Sequence, residues 1–180
     1  CVLMLHGRAS SASLQREIML RLGWLELADF HFVDGPFRCA PRPDLFPLLH
    51  EAGLYGEEEY ADWNLDAGPR GVEASVDFAV GKLAELDAVG AAGICDGSLV
   101  AALVVMRRPE LRVYINFCGG PLRQRGIDEY LLRLELACEL ITARTLHVFG
   151  ENDELYSRSE LLDMIGWCKG LVSVYWHPGK

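Results

Sequence analysis

Ala88-Val89-Gly90-Ala91-Ala92-Gly93-Ile94-Cys95-Asp96-Gly97-Ser98-Leu99-Val100-Ala101-Ala102-Leu103-Val104-Val105-Met106 is the stretch whose reading decides the fold. Ala88 to Ile94 is a short apolar run of the kind that forms a buried strand. Ser98 to Met106 is apolar throughout, as a helix enclosed on every side must be. Only Gly93-Ile94-Cys95-Asp96-Gly97 joins them. A strand that passes into a helix this quickly puts its central residue at a strained bend, side chain thrust out of the sheet. Glycines two residues to either side let neighbouring segments close in without side-chain clashes. The Cys95 thiol would then lie beside the positive end of the helix, where the thiolate is favoured. A bare G-x-C-x-G also suits a buried structural cysteine at a tight turn, since free cysteine is among the most buried residue types. The flanking segments must decide between the two.

Working outward, short apolar runs alternate with amphipathic stretches, the pattern of βα units that build a mainly parallel sheet with helices on both faces. Six strands are expected, at Cys1 to His6, Phe30 to Asp34, Ala88 to Ile94, Leu111 to Phe117, Thr145 to Phe149 and Leu171 to Trp176. Helical spacing covers Ser13 to Leu22, Val72 to Leu86, Ser98 to Met106, Ile127 to Leu140 and Ser157 to Cys168, the last with Ser157 as N-cap and Glu160 three residues on. The segment from Phe37 to Asp66 breaks the alternation. It is proline-rich at its start and acidic at Glu57-Glu58-Glu59, and reads as a long lid-like excursion over the carboxyl ends of the strands, where open α/β sheets bind ligands. The acidic run itself reads as a solvated loop.

Composition narrows the function classes. Of 180 residues 51% are hydrophobic and 24% charged, which suits one globular domain. The opening in mid-strand without Met and the stop just after another strand suggest a domain truncated at both ends. Twenty-six acidic against 17 basic residues give a net charge of −9, which repels a phosphate backbone, so no nucleic-acid partner is expected. No run is long enough to span a membrane or to serve as a secretion signal. Cys1, Cys39, Cys95, Cys118, Cys138 and Cys168 are scattered without a C-x-x-C pair, so a reducing, cytoplasmic compartment fits better than a disulfide framework, and no metal or cofactor is implied. Gly90-Ala91-Ala92-Gly93 lacks the G-x-G-x-x-G spacing of a dinucleotide site.

Three further segments bear on Cys95. Leu3-Met4-Leu5-His6-Gly7-Arg8 is a strand ending in His-Gly. Leu146 to Asp153 is a strand followed by Gly-x-x-Asp. Val172 to Gly179 is a last strand running into His-Pro-Gly. In this order they resemble the FSH family of serine hydrolases, small α/β-hydrolases related to the OVCA2 protein, over nearly the whole chain. Val33-Asp34-Gly35-Pro36, Tyr60-Ala61-Asp62-Trp63 and Phe117-Cys118-Gly119-Gly120 are similar to further family segments.

The resemblance implies an α/β-hydrolase fold and hydrolysis of a small carboxylic ester or thioester. Cys95 would be the nucleophile, the backbone N–H groups of Arg8 and Asp96 the oxyanion hole, and Asp153 the acid that orients a histidine. Two departures stand out. The family uses serine where this chain has Cys95 and usually a neutral glutamine where it has Asp96, a carboxylate able either to repel a thiolate or to favour the helix start. The family's catalytic histidine ends a His-x-Gly-Gly-His turn. Here His177 matches the first, non-catalytic histidine, and the catalytic one is expected just after Lys180. The alternative is a lapsed hydrolase kept as a binding or structural subunit, with a protein partner in place of a small acyl substrate. His6 reads as a loop-fixing residue, His31 and His147 as core or edge residues, and Cys118 as a neighbour of Cys95 at a strand end.

Overall fold

The computed structural model describes residues 1–42, 44, 47–51, 53–55, 59–122, 126–134 and 140–178, without the side chains of Leu48 and Leu49. Strands β1 (Val2–Leu5), β2 (Phe30–Val33), β5 (Gly90–Ile94), β6 (Val113–Phe117), β7 (Arg144–Gly150) and β8 (Val172–His177) form one sheet in the order β2-β1-β5-β6-β7-β8. Every pairing is parallel. All carboxyl ends therefore share one edge. The six strands lie where the apolar runs place them, with ends shifted by a residue or two.

The connecting helices are α1 (Ala12–Arg21), α2 (Pro47–Glu51), α3 (Pro69–Leu86), α4 (Asp96–Arg107), α5 (Ile127–Arg133) and α6 (Arg158–Ile165). The expected continuation of α5 through residues 135–139, which includes Cys138, lies outside the described residues, as do Gly56 to Glu58, Gly179 and Lys180. Ser157 caps α6 in a full capping box with Glu160. Among the described residues no helix is long and apolar enough to cross a membrane.

Alternation along the strands splits the core in two. Leu3, Leu5, Ala91 and Tyr114 point to the face covered by α3, α4 and α5, while Val2, Met4, Ala92, Ile115, Phe117 and Val148 pack with Met19 of α1 and with Trp24 on the other. Helix α4 is buried from Asp96 to Met106, which is why its sequence carries no polar face. The edge strands β2 and β8 are more exposed and read as less continuously apolar.

The long excursion holds more order than its composition suggests. Strands β3 (Phe37–Cys39) and β4 (Tyr60–Asp62) pair antiparallel, and Ala61 also bridges to Ser10, just past β1. Three-residue strands offer too short an alternation to be read from sequence. Their stability comes from tertiary contacts, among them Tyr55 stacked on Tyr60 with ring centroids 4.3 Å apart.

A buried polar network ties α4, β6 and β7 together under the carboxyl edge. Ser98 Oγ donates to Asn116 Oδ1 (2.6 Å), Asn116 Nδ2 donates to His147 Nδ1 (3.0 Å), and the Gly119 N–H donates to Asn116 Oδ1 (2.7 Å). That leaves His147 Nε2 to donate toward Cys168 Sγ at 3.5 Å. Burial lowers His147 from an ordinary 6.5 to about 4. The unfolded chain thus binds a proton at this residue between those pH values while the folded one does not, so stability rises with pH through that window and is lost on acidification. A decline of about 3 kcal/mol between pH 6.5 and 4 is expected from this residue. Urea unfolding across that range should show His147→Gln flattening the slope relative to wild type. An unchanged slope would assign the acid sensitivity elsewhere.

Candidate functional site

Strand order reverses between β1 and β5, since β1 connects outward to β2 while β5 leads to β6, β7 and β8 on the other side. At such a switch point the loops leaving adjacent carboxyl ends diverge and open a crevice. Arg8 follows β1 and Cys95 follows β5, so the two flank it.

The turn at Cys95 is as tight as its sequence requires. Cys95 has φ 51° and ψ −122°, a conformation that side chains rarely adopt, and it stands at the N-cap of α4 with its carbonyl accepting from Ser98 N (3.0 Å). Its own N–H donates to Phe117 O (3.1 Å), which fixes the bend to β6. A Cβ on Gly93 would fall on the Gly97 backbone, and one on Gly97 would fall on the carbonyls of Leu5 and His6. Both glycines are therefore demanded by close backbone approach. The cysteine is half-buried at the surface of the edge, and its Sγ lies 3.8 Å from Asp96 Oδ1.

The loop after β1 is held from three directions. His6, fully buried, places Nδ1 2.6 Å from Gly7 O and accepts the Gly35 N–H at Nε2 (2.8 Å), which makes Nδ1 the protonated nitrogen. Burial lowers its pKa against the opposing effects of the Gly7 carbonyl and of Asp34 and Asp62, so the ring is neutral and serves as a strut. Trp63 Nε1 donates to His6 O (2.7 Å), and Tyr55 Oη donates to Ala9 O (2.8 Å). Gly7 abuts the turn so closely that a Cβ there would meet Cys95 Cβ at 3.5 Å.

Asp96 is fully buried. Its Oδ2 accepts from Arg8 Nε (3.0 Å), and Arg8 Nη2 pairs in turn with the mostly exposed Asp66 (2.7 Å). The chain of Cys95, Asp96, Arg8 and Asp66 was not readable from sequence, because the residues are far apart and only the backbone of Arg8 fitted a motif.

Asp153 lies in the loop after β7, on the same edge. Its Oδ1 accepts the N–H groups of Leu155 (2.8 Å) and Tyr156 (3.0 Å). Between it and Cys95 stands Cys118, next in register along β6, with φ 50° and its thiol raised by burial and by the charge of Asp153. The structure thus gathers Arg8, Asp96, Cys95 and Asp153 at one edge. His177 ends β8, where its carbonyl accepts from Glu151 N (2.9 Å), and Asn152 Nδ2 donates to Pro178 O (3.1 Å), so the end of β8 runs alongside the Asp153 loop. His31 is exposed on edge strand β2, and His147 sits in the core.

The sequence profile described as Serine hydrolase (FSH1) matches residues 1–180, the entire length. The chain belongs to the FSH1 serine hydrolase family. Solved structures similar to this FSH1 family member share its architecture. A cold-adapted esterase from an Arctic intertidal metagenomic library superposes with a TM-score of 0.60 at 20% identity, over 99% of this chain and 74% of that one. YbtT, a type II thioesterase from a yersiniabactin biosynthetic pathway, gives 0.58 at 14% identity over 98% and 85%. A protein from Thermus thermophilus, TT1662, gives 0.55 at 18% over 98% and 79%. At these identities the likeness establishes the α/β-hydrolase fold. No curated protein matched the sequence.

Trp63 is the residue of this FSH1 member whose place in the site is least legible from sequence. Tyr60-Ala61-Asp62-Trp63 was recognisable as an aromatic segment, but not as the clamp on the His6 carbonyl. Trp63→Phe removes that hydrogen bond and leaves a void in a fully buried position. A loss of about 2–3 kcal/mol is expected in urea unfolding, against a much smaller one if the indole merely fills space.

Proposed function

We propose that the protein hydrolyses small carboxylic esters or thioesters, with Cys95 as the nucleophile of a G-x-C-x-G elbow. The observation that carries this reading is the backbone of Cys95, held at positive φ by two close-packed glycines at the switch point of the sheet, with its thiol at the edge. Strain of this kind persists only where surrounding packing imposes it, and it clusters at functional sites. Esterases and a type II thioesterase among the structures of like fold support the reaction class.

In this reading the Cys95 thiolate attacks the acyl carbonyl, forming an S–C bond as the carbonyl π electrons move onto oxygen. The N–H groups of Arg8 and Asp96 receive that oxyanion. Collapse expels the alcohol or thiol, which takes the proton that a histidine expected beyond Lys180 and oriented by Asp153 had received from the Cys95 thiol. The same histidine then takes a proton from water, whose oxygen bonds to the acyl carbon as the S–C bond breaks, freeing the acid and returning the proton to Cys95. The excursion from 37 to 66 bounds the acyl pocket as a lid, and the enzyme works in the cytoplasm on a small-molecule substrate without a cofactor.

One contact favours a second reading, the lapsed hydrolase serving as a binding subunit. The Asp96 carboxylate meets the thiol itself, and a hydrogen bond to the neutral thiol opposes the thiolate. Incubation of the full-length protein with p-nitrophenyl acetate, followed by mass analysis of the acylated peptide, separates the two. Acylation at Cys95 with release of p-nitrophenol upholds the hydrolase. Absence of acylation at Cys95, or modification confined to other cysteines, rejects it.

A further inference from the structure

The elbow places a buried carboxylate directly beside the thiol that must ionise. Asp96 is buried, one oxygen 3.8 Å from Cys95 Sγ and the other 3.0 Å from Arg8 Nε. A carboxylate so close raises the cost of forming a thiolate, by charge and by accepting the S–H. Arg8 stands on the opposite side of the same carboxylate, with its side chain only 25% exposed, and is anchored at its far end by Asp66. Its charge opposes that of Asp96 at the thiol.

We infer that the Arg8 side chain is a positioning residue for Cys95: by holding and neutralising the Asp96 carboxylate, it sets the pH at which the thiol becomes a nucleophile. The inference rests on Cys95 being the reactive thiol of the proposed function, but it concerns ionisation and not turnover. Among the described residues, the other charged or titratable groups on the elements packed against the elbow act on Arg8, on the loop or on Cys118. Asp62 of β4 and Asp66 act on Arg8. His6 behind the loop is held neutral by burial. Cys118, the β6 neighbour, is pushed toward its thiol form by burial and by Asp153. The helix α4 favours the thiolate through its N-terminal N–H groups, a contribution that no side-chain substitution alters.

The pairing also gives a reason for the two residues to occur together. Burying Asp96 without a cation would leave a desolvated charge. Arg8 thus answers a demand created at position 96, eighty-eight residues away in the chain.

The test is the pH dependence of iodoacetamide alkylation at Cys95 in the full-length protein, followed by peptide mass analysis so that the other cysteines are scored separately. Arg8→Met should move the midpoint upward by about one to two units, slowing alkylation at pH 7 about tenfold or more. Arg8→Lys, which keeps the charge, should retain most of the wild-type profile, and Arg8→Met combined with Asp96→Asn should restore it. A structural role for Arg8 alone would lower thermal stability without moving the midpoint. An unmoved midpoint in folded Arg8→Met, or a double variant that stays shifted, overturns the inference. If Arg8→Met does not fold, Asp96→Asn decides, because it should lower the midpoint by about one unit and an unchanged value refutes the coupling. The outcome is separable from that of the hydrolase reading. Alkylation requires no acyl transfer, so a protein inert to p-nitrophenyl acetate can still show the full set of shifts, and an acylated one can lack them.

Discussion

Gly97→Ala is expected to destabilise the protein by about 3 kcal/mol or more, lowering the melting temperature by roughly 6–12 °C. The added methyl would fall on the carbonyls of Leu5 and His6, which are backbone atoms and not the flexible end of a side chain. Neither can retreat. Leu5 is completely buried in β1, and His6 is fixed through its carbonyl by Trp63 and through its ring by Gly35. Space is the cause here, since Gly97 is not among the positive-φ glycines. Gly81 provides the contrast. It lies within α3 where a Cβ meets nothing within 4 Å, so Gly81→Ala should stabilise by about 0.5–1 kcal/mol through better helix propensity and a less flexible unfolded chain. Calorimetric melting of both variants checks the pair. A Gly97→Ala protein within about 0.5 kcal/mol of wild type would mean that the turn and β1 are not locked together.

How much of this could be read from the sequence follows the physics of each element. The central strands announced themselves because they are buried on both faces, so runs such as Val2–Leu5 need no partner to be recognised as strands. Helix α4 did so for the same reason. The glycines around Cys95 carried the turn, because only close backbone approach asks for glycine at both of those places. By contrast, β3 and β4 are three residues each and exist through their pairing and through the bridge from Ala61 to Ser10, a contact that no local pattern encodes.

The site divides along the same line. Positions fixed by a strand end, namely Cys95 after β5, Arg8 after β1 and Asp153 after β7, are consequences of topology once the strand order is known. Side-chain partners are not. Local sequence leaves open whether Asp96 repels a thiolate or serves the helix start, because the guanidinium of Arg8 that pairs with it comes from the end of another strand. His147 reads as a strand residue, but its shift to about 4 follows from burial in the core between Asn116 and Cys168, which a single sequence does not give.

Cys95→Ala and Cys95→Gly together test whether the strained turn exists for its thiol. Alanine keeps a Cβ at φ 51° and so keeps the strain, while glycine occupies that region without penalty. On the hydrolase reading, both variants should lose ester hydrolysis by about 10³-fold or more, leaving only what the oxyanion donors and binding supply. Their stabilities should diverge. Cys95→Ala should melt close to wild type, and Cys95→Gly should gain about 1 kcal/mol from relief of the backbone, a trade of activity for stability characteristic of a catalytic position. Steady-state hydrolysis of p-nitrophenyl esters and calorimetry on the full-length variants measure the two effects. Retention of activity in Cys95→Ala would move the chemistry to another group, for which Cys118 at the adjoining strand end is the first to substitute. Loss of stability in Cys95→Gly would show that the bend is held by the cysteine's own packing and that backbone strain at this position does not mark a functional site.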